Sequence, residues 1–237
     1  MTETRGVSVR ADRAATVTSL RWVWIFTLAT FLVSALFDYP IFGPRPLSDH
    51  PGVFVWLVMW CPGTVALALV LIGKARFREL GLMKPGGLHL VWGLLLPLVM
   101  TGPIYLLASA AGFCGLAPWA LKGHLLGALL VLPLNLGRAL GEEIGWRGFL
   151  FPRLRSRFSF PVASLLSGLI WSVWHYAVIV QGGYLDSANV PLGVGLVLFT
   201  ICVTGQSFLY GWLRERSDSV WPAVCLHGVY NWFTQRV

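Results

Sequence analysis

Stretches of about 17 to 25 mostly apolar residues recur along this chain, and each is long enough to cross a hydrocarbon core as a helix. The composition agrees. The 237 residues are 56% hydrophobic and only 12% charged, where a soluble domain is about a quarter charged. Seven spans are predicted, roughly 20–38, 53–73, 89–111, 123–151, 161–180, 190–213 and 220–235. The last is short. The fourth is long enough to tilt or break, and Pro133 offers a kink. The first is expected to be a retained span and not a signal peptide, because no small-residue cleavage site follows it. The expected architecture is an all-α polytopic membrane protein, with about seven to eight transmembrane helices in one bundle over 20–237. A short cytoplasmic segment, 1–19, precedes it.

The net charge of +8 belongs to topology. Fourteen of the eighteen lysines and arginines fall on one side: the N-terminal segment, the 74–88 loop, Arg147 to Arg157 and the 214–219 loop. The other side carries only Arg45, Lys122 and Arg236, and Arg138 lies within a span. Short basic loops stay in the cytoplasm, so the N-terminus is expected there. Charge of this kind excludes a nucleic-acid partner. Lipid is the expected surroundings, in a prokaryotic cytoplasmic membrane. The four cysteines (Cys61, Cys114, Cys202, Cys225) lack metal-type spacing and read as small buried apolar groups.

Ionisable groups in hydrocarbon are costly and mark function by default. The stretch "GEEIGWRGF" places Glu142, Glu143 and Arg147 at the end of an apolar run. Helical spacing puts Asn135, Arg138 and Glu142 on one stripe. Glu143 points about 100° away and sits one turn before Arg147, the favourable order for an i, i+4 ion pair. Glu143 and Arg147 therefore read as structural support, and Glu142 as the catalytic candidate. His175 in "WSVWH" and His227 and Asn231 in "HGVYN" are its partners. At about 1.5 Å per residue, all four fall about 10 to 21 Å from the cytoplasmic helix ends.

Such a cluster can activate water. Glu142 is suited to general base and His175 to holding the water or protonating the leaving amine. His227 and Asn231 can donate to an oxyanion. Alternatively, Glu142, His175 and His227 could hold a divalent metal such as zinc, with water in the fourth position. The sequence leaves both open. It contains no HExxH, GxGD or GxSG motif.

The three segments "EEIGWRGFLFPRL", "WSVWH" and "HGVYN" resemble the motifs of the CPBP family, the CAAX proteases and bacteriocin-processing enzymes, also called Abi. The family pattern is EExxxR, FxxxH and then HxxxN or HxxxD. It falls here on Glu142, Glu143 and Arg147, on His175, and on His227 and Asn231. Trp171 stands where the pattern has phenylalanine and keeps an aromatic wall. The resemblance covers about 120–235, and the family often has eight spans. It implies an intramembrane endopeptidase in which Glu142 and His175 activate water and His227 and Asn231 stabilise the oxyanion. The family is commonly called a metalloprotease, and a metal-free mechanism has been argued for its prenyl-protease branch. The expected substrate is a small peptide or a membrane protein, without carrying over prenyl chemistry. Two other readings stay open: a non-proteolytic bacteriocin-immunity or binding protein, and a transporter, although no internal repeat supports the latter.

Overall fold

The structure is a computed structural model, and it describes residues 20–42, 51–112, 125–182 and 190–234. The segment 1–19 and Arg45, Cys114, Lys122 and Arg236 lie outside the described residues. All regular structure among the described residues is helical. The long helices are α1 (Leu20–Phe42), α2 (Pro51–Leu71), α3 (His89–Ala110) and α4 (Leu125–Glu143). A short α5 (Phe151–Arg155) is followed by α6 (Phe160–Gly182), α7 (Leu192–Ser217) and α8 (Trp221–Thr234).

Four of these helices are long and apolar enough to cross a membrane: α1 over Leu20–Asp38, α3, α6 over Phe160–Val180, and α7. Val55–Leu71 of α2 is a shorter apolar helix. These segments are apolar on all sides, as suits helices with one face on protein and the other on lipid. On α1, Val23 and Phe26 are buried while Leu28, Leu32 and Leu36 are exposed. Prolines inside α2, α3 and α4 (Pro62, Pro97, Pro103, Pro133) are tolerated as they are in membrane helices generally.

The fourth apolar run is not one uniform helix. After Glu143 the backbone widens into π-helical turns over Ile144–Leu150 before narrowing again as α5. Every residue from Gly141 to Phe151 is buried. This wide segment is the floor of the molecule, and α1 and α2 pack onto it. Phe26 stacks on Phe149 with ring centroids 4.8 Å apart and meets Trp146 edge-on at 5.8 Å. α2 crosses closely because glycines face it. A Cβ on Gly145 would lie 2.6 Å from the Pro62 carbonyl carbon, and one on Gly141 would lie 2.9 Å from the Met59 carbonyl oxygen.

That crossing makes a direct prediction. Gly145→Ala forces α2 away from the floor and costs about 1–3 kcal/mol by overpacking. Gly137→Ala, where a Cβ meets nothing within 4 Å among the described residues, changes stability by under about 1 kcal/mol and in the stabilising direction. Melting midpoints of the two variants decide it, and equal midpoints would refute the crowding argument.

Arginines tie the loops to the floor. Arg214 of α7 donates from Nε to the Arg147 carbonyl at 3.0 Å, and from Nη2 to the Glu79 carbonyl at 2.8 Å. Arg153 lies over the Phe149 ring at 3.6 Å and pairs with Glu79 at 3.3 Å. Asp218 closes the set. Partial burial alone would push its carboxyl up, but bonds from Lys84 and Arg214 outweigh that and hold it below the usual carboxylate range. Above the floor, α6 packs along α7, while α8 lies between α3 and α4.

Candidate active site

A cavity of about 250 Å³ lies between α2, α6, α7 and α8, above the π-helical floor. Glu142, His175, His227 and Asn231 all line it. The rest of the wall is mostly apolar, with Val58 on α2, Ile179 on α6 and Phe199 and Val203 on α7. Four polar side chains from three segments of the chain thus meet in one largely apolar chamber.

Glu142 and Glu143 end α4 as it enters the π-helical turns, and their side chains go to different partners. The Glu142 carboxylate is 1% exposed. Its Oε2 accepts the indole N–H of Trp171 at 2.8 Å and that of Trp146 at 3.2 Å. No cation lies within ion-pair distance of it among the described residues, and both indole bonds fall on Oε2, so Oε1 is the oxygen they leave.

Glu143 is equally buried and is met by charge. Arg147 Nη1 donates to its Oε1 at 3.2 Å, which is the i, i+4 ion pair that the spacing predicts. His227 Nδ1 lies 2.9 Å from the same oxygen. A carboxylate paired with a guanidinium only accepts, so His227 donates from Nδ1 and turns Nε2 to the rest of the site. Glu143 therefore does more than hold a helix end, because it also sets the orientation of a cavity-lining histidine 84 residues away in the chain. The Arg147 guanidinium is held between two aromatic faces, Trp171 at 4.3 Å and Tyr210 at 4.2 Å. This fixes a fully buried cation through ring contacts as well as through its carboxylate.

His175 is fixed in the same manner. Its Nδ1 lies 2.9 Å from the Trp171 carbonyl, which can only accept, so Nδ1 carries the proton and Nε2 is the unprotonated nitrogen. Trp174 meets the imidazole edge-on at 4.8 Å and is itself anchored by its N–H on Ser34 Oγ at 2.8 Å. Asn231 is half-buried, one turn beyond His227 on the same face of α8.

Arg138 is not drawn into this cluster. It is half-buried, does not line the cavity, and makes no ion pair among the described residues. Asn135 is buried and turns its amide back to the Val131 carbonyl at 3.2 Å. The stripe expected on α4 thus breaks before Glu142. Sequence reasoning also passed over Trp146 and Tyr210, and read Trp171 only as a wall. The available signal was that three aromatics with polar edges lie within a few residues of charged groups in spans, where such edges need partners.

The described side chains do not form a ready metal site. Among the described residues, no three His, Cys, Asp or Glu side chains come together in a way that could hold a metal ion.

Comparison with known proteins points the same way as the motifs. Residues 124–233 match the family model described as Type II CAAX prenyl endopeptidase Rce1-like. A protein from Methanococcus maripaludis named CAAX prenyl protease 2 is 26% identical over 227 residues, an alignment covering 87% of this chain and 82% of that protein. Its reach takes in helices upstream of the motifs. With the motifs and the cavity, these matches mark the chain as a protease similar to the Rce1-like CAAX prenyl endopeptidases.

Proposed function

We propose that the protein is an intramembrane endopeptidase that hydrolyses a membrane-associated or small peptide through water activated by Glu142 and His175. The observation that carries this is the meeting of Glu142, His175, His227 and Asn231 on one apolar cavity, with the non-reacting nitrogen of each histidine already tied down. The water oxygen bonds to the scissile carbonyl carbon while Glu142 Oε1 takes its proton. His175 Nε2 orients that water. The carbonyl π pair moves onto oxygen, where the Asn231 amide N–H meets it. His227 donates there from Nε2 in its imidazolium form, with the charge balanced by Glu143. The C–N bond then breaks, and the proton passes from Glu142 by way of His175 to the leaving nitrogen. No step runs through a metal.

The same reading takes all seven long helices as spans of one bundle over 20–237, with the catalytic core at about 120–235 and the N-terminus in the cytoplasm. The fourteen-to-three division of basic residues supports that orientation. The cavity is small and apolar, which suits one extended peptide segment.

Cleavage of a quenched-fluorescent peptide library by the purified protein in detergent tests the function. The name of the Methanococcus relative, CAAX prenyl protease 2, makes a prenylated CAAX peptide the first comparison substrate. The expected result is turnover that a chelator leaves unchanged. Turnover abolished by the chelator and restored by zinc would overturn the metal-free mechanism. Binding of a peptide without turnover of any substrate would favour a non-proteolytic immunity or binding role.

A further inference from the structure

Glu142 and Glu143 are adjacent, both buried, and compensated by different means. Glu143 has a guanidinium and an imidazole. Glu142 has two indole N–H groups on one oxygen and no cation within ion-pair distance among the described residues. An indole N–H can only donate. Trp146 and Trp171 are 0% and 3% exposed, and neither indole has another acceptor among the described residues. The need is therefore mutual: a buried donor left unpaired is as unfavourable as a buried carboxylate without donors.

Trp171 also reaches the other half of the water-activating pair. Its backbone carbonyl holds His175 Nδ1, and its ring covers Arg147. One residue thus touches the base, the histidine beside it and the cation below. The family pattern carries phenylalanine here, so the ring and the carbonyl are shared features and the N–H is this chain's own.

We propose that Trp171 is a positioning residue for hydrolysis, its indole N–H acting with that of Trp146 to fix Glu142 Oε2 in place of a counter-cation, so that Oε1 is presented to water. The inference rests on the reading of Glu142 as the base. Neutral donors hold the carboxylate without pairing it to a full positive charge, and they leave Oε1 to take a proton. A guanidinium at the same distance would compete with that proton.

Trp171→Phe isolates the N–H, because phenylalanine keeps a ring over Arg147 and keeps the carbonyl on His175. The test measures kcat, KM and the melting midpoint for Trp171→Phe, Trp146→Phe, the double variant and Glu142→Gln on one peptide. Trp171→Phe is expected to lower kcat about 10- to 100-fold, as loss of one charge-assisted hydrogen bond does. KM stays within about twofold, and the melting midpoint stays near wild type. Trp146→Phe, whose bond is longer, falls in the same direction by less, and the double variant falls below either. Wild-type kcat in Trp171→Phe, with Glu142→Gln inactive, overturns the proposal and leaves the protease reading standing. A loss in which KM rises in step, or in which the melting midpoint collapses, assigns Trp171 to packing and overturns it as well. If Trp171→Phe does not fold, wild-type kcat in Trp146→Phe has the same force. An active Glu142→Gln would instead sink the reading of Glu142 itself.

Discussion

Glu142→Gln is expected to lower peptide hydrolysis about 100- to 10,000-fold, the range for losing a general base, with little change in melting midpoint. The substitution is nearly isosteric. Its amide oxygen can still accept from Trp171 and Trp146, so the two buried indoles keep their acceptor. What disappears is a basic oxygen facing the cavity. The fold should therefore survive a change that stops the chemistry, which separates catalysis from support more cleanly than an alanine would. Peptide affinity should persist, because the apolar walls at Val58, Ile179, Phe199 and Val203 are untouched. More than about a tenth of the wild-type rate in Glu142→Gln would mean that another group takes the proton. Glu143→Gln would not mimic it, since Glu143 faces Arg147 and His227 and does not line the cavity.

Much of this site was legible in the sequence because hydrocarbon is an unforgiving background. In a chain with so few charges, Glu142, His175, His227 and Asn231 stand out one by one. Counting residues from the basic ends put them at similar depths, and all four line one cavity. The Glu143–Arg147 pair was legible because it is local, four residues apart on one helix. Contacts that cross between helices were not. The bond from His227 to Glu143 spans 84 residues, that from Trp171 to Glu142 spans 29, and that from Arg214 to the Arg147 carbonyl spans 67. Helical periodicity carries no information on which faces meet. It also assumes α-helical winding, and the π-helical turns after Glu143 depart from that winding in the segment that carries Trp146 and Arg147. Arg138 shows the opposite failure. Its spacing put it on the face of Glu142, yet it does not line the cavity.

Glu143→Leu is expected to be the most destabilising single change in the molecule, and for a reason unlike that of Glu142→Gln. Arg147 and Glu143 have side chains that are 0% exposed. Removing the carboxylate leaves a guanidinium in the core with aromatic faces but no counter-charge. Breaking one side of a buried pair typically costs about 3–5 kcal/mol, and in a chain of this size that lowers the melting midpoint by about 6 to 20 °C. The double variant Glu143→Leu with Arg147→Met should recover most of the loss. Two apolar side chains of similar volume replace a buried ion pair at little or no net cost, and Arg214 keeps its bond because it is made to the Arg147 backbone. Recovery should still be incomplete, since His227 Nδ1–H loses its acceptor, worth about 1–3 kcal/mol when buried. Activity should stay lost in the recovered protein, because nothing then sets the orientation of His227 or balances its imidazolium form at the oxyanion. Melting curves and hydrolysis rates of the single and double variants test both halves. A Glu143→Leu protein that melts with the wild type would show that the pair is not what holds the floor together. A double variant that regains hydrolysis along with stability would show that Glu143 is support alone, and that His227 does not need it to act.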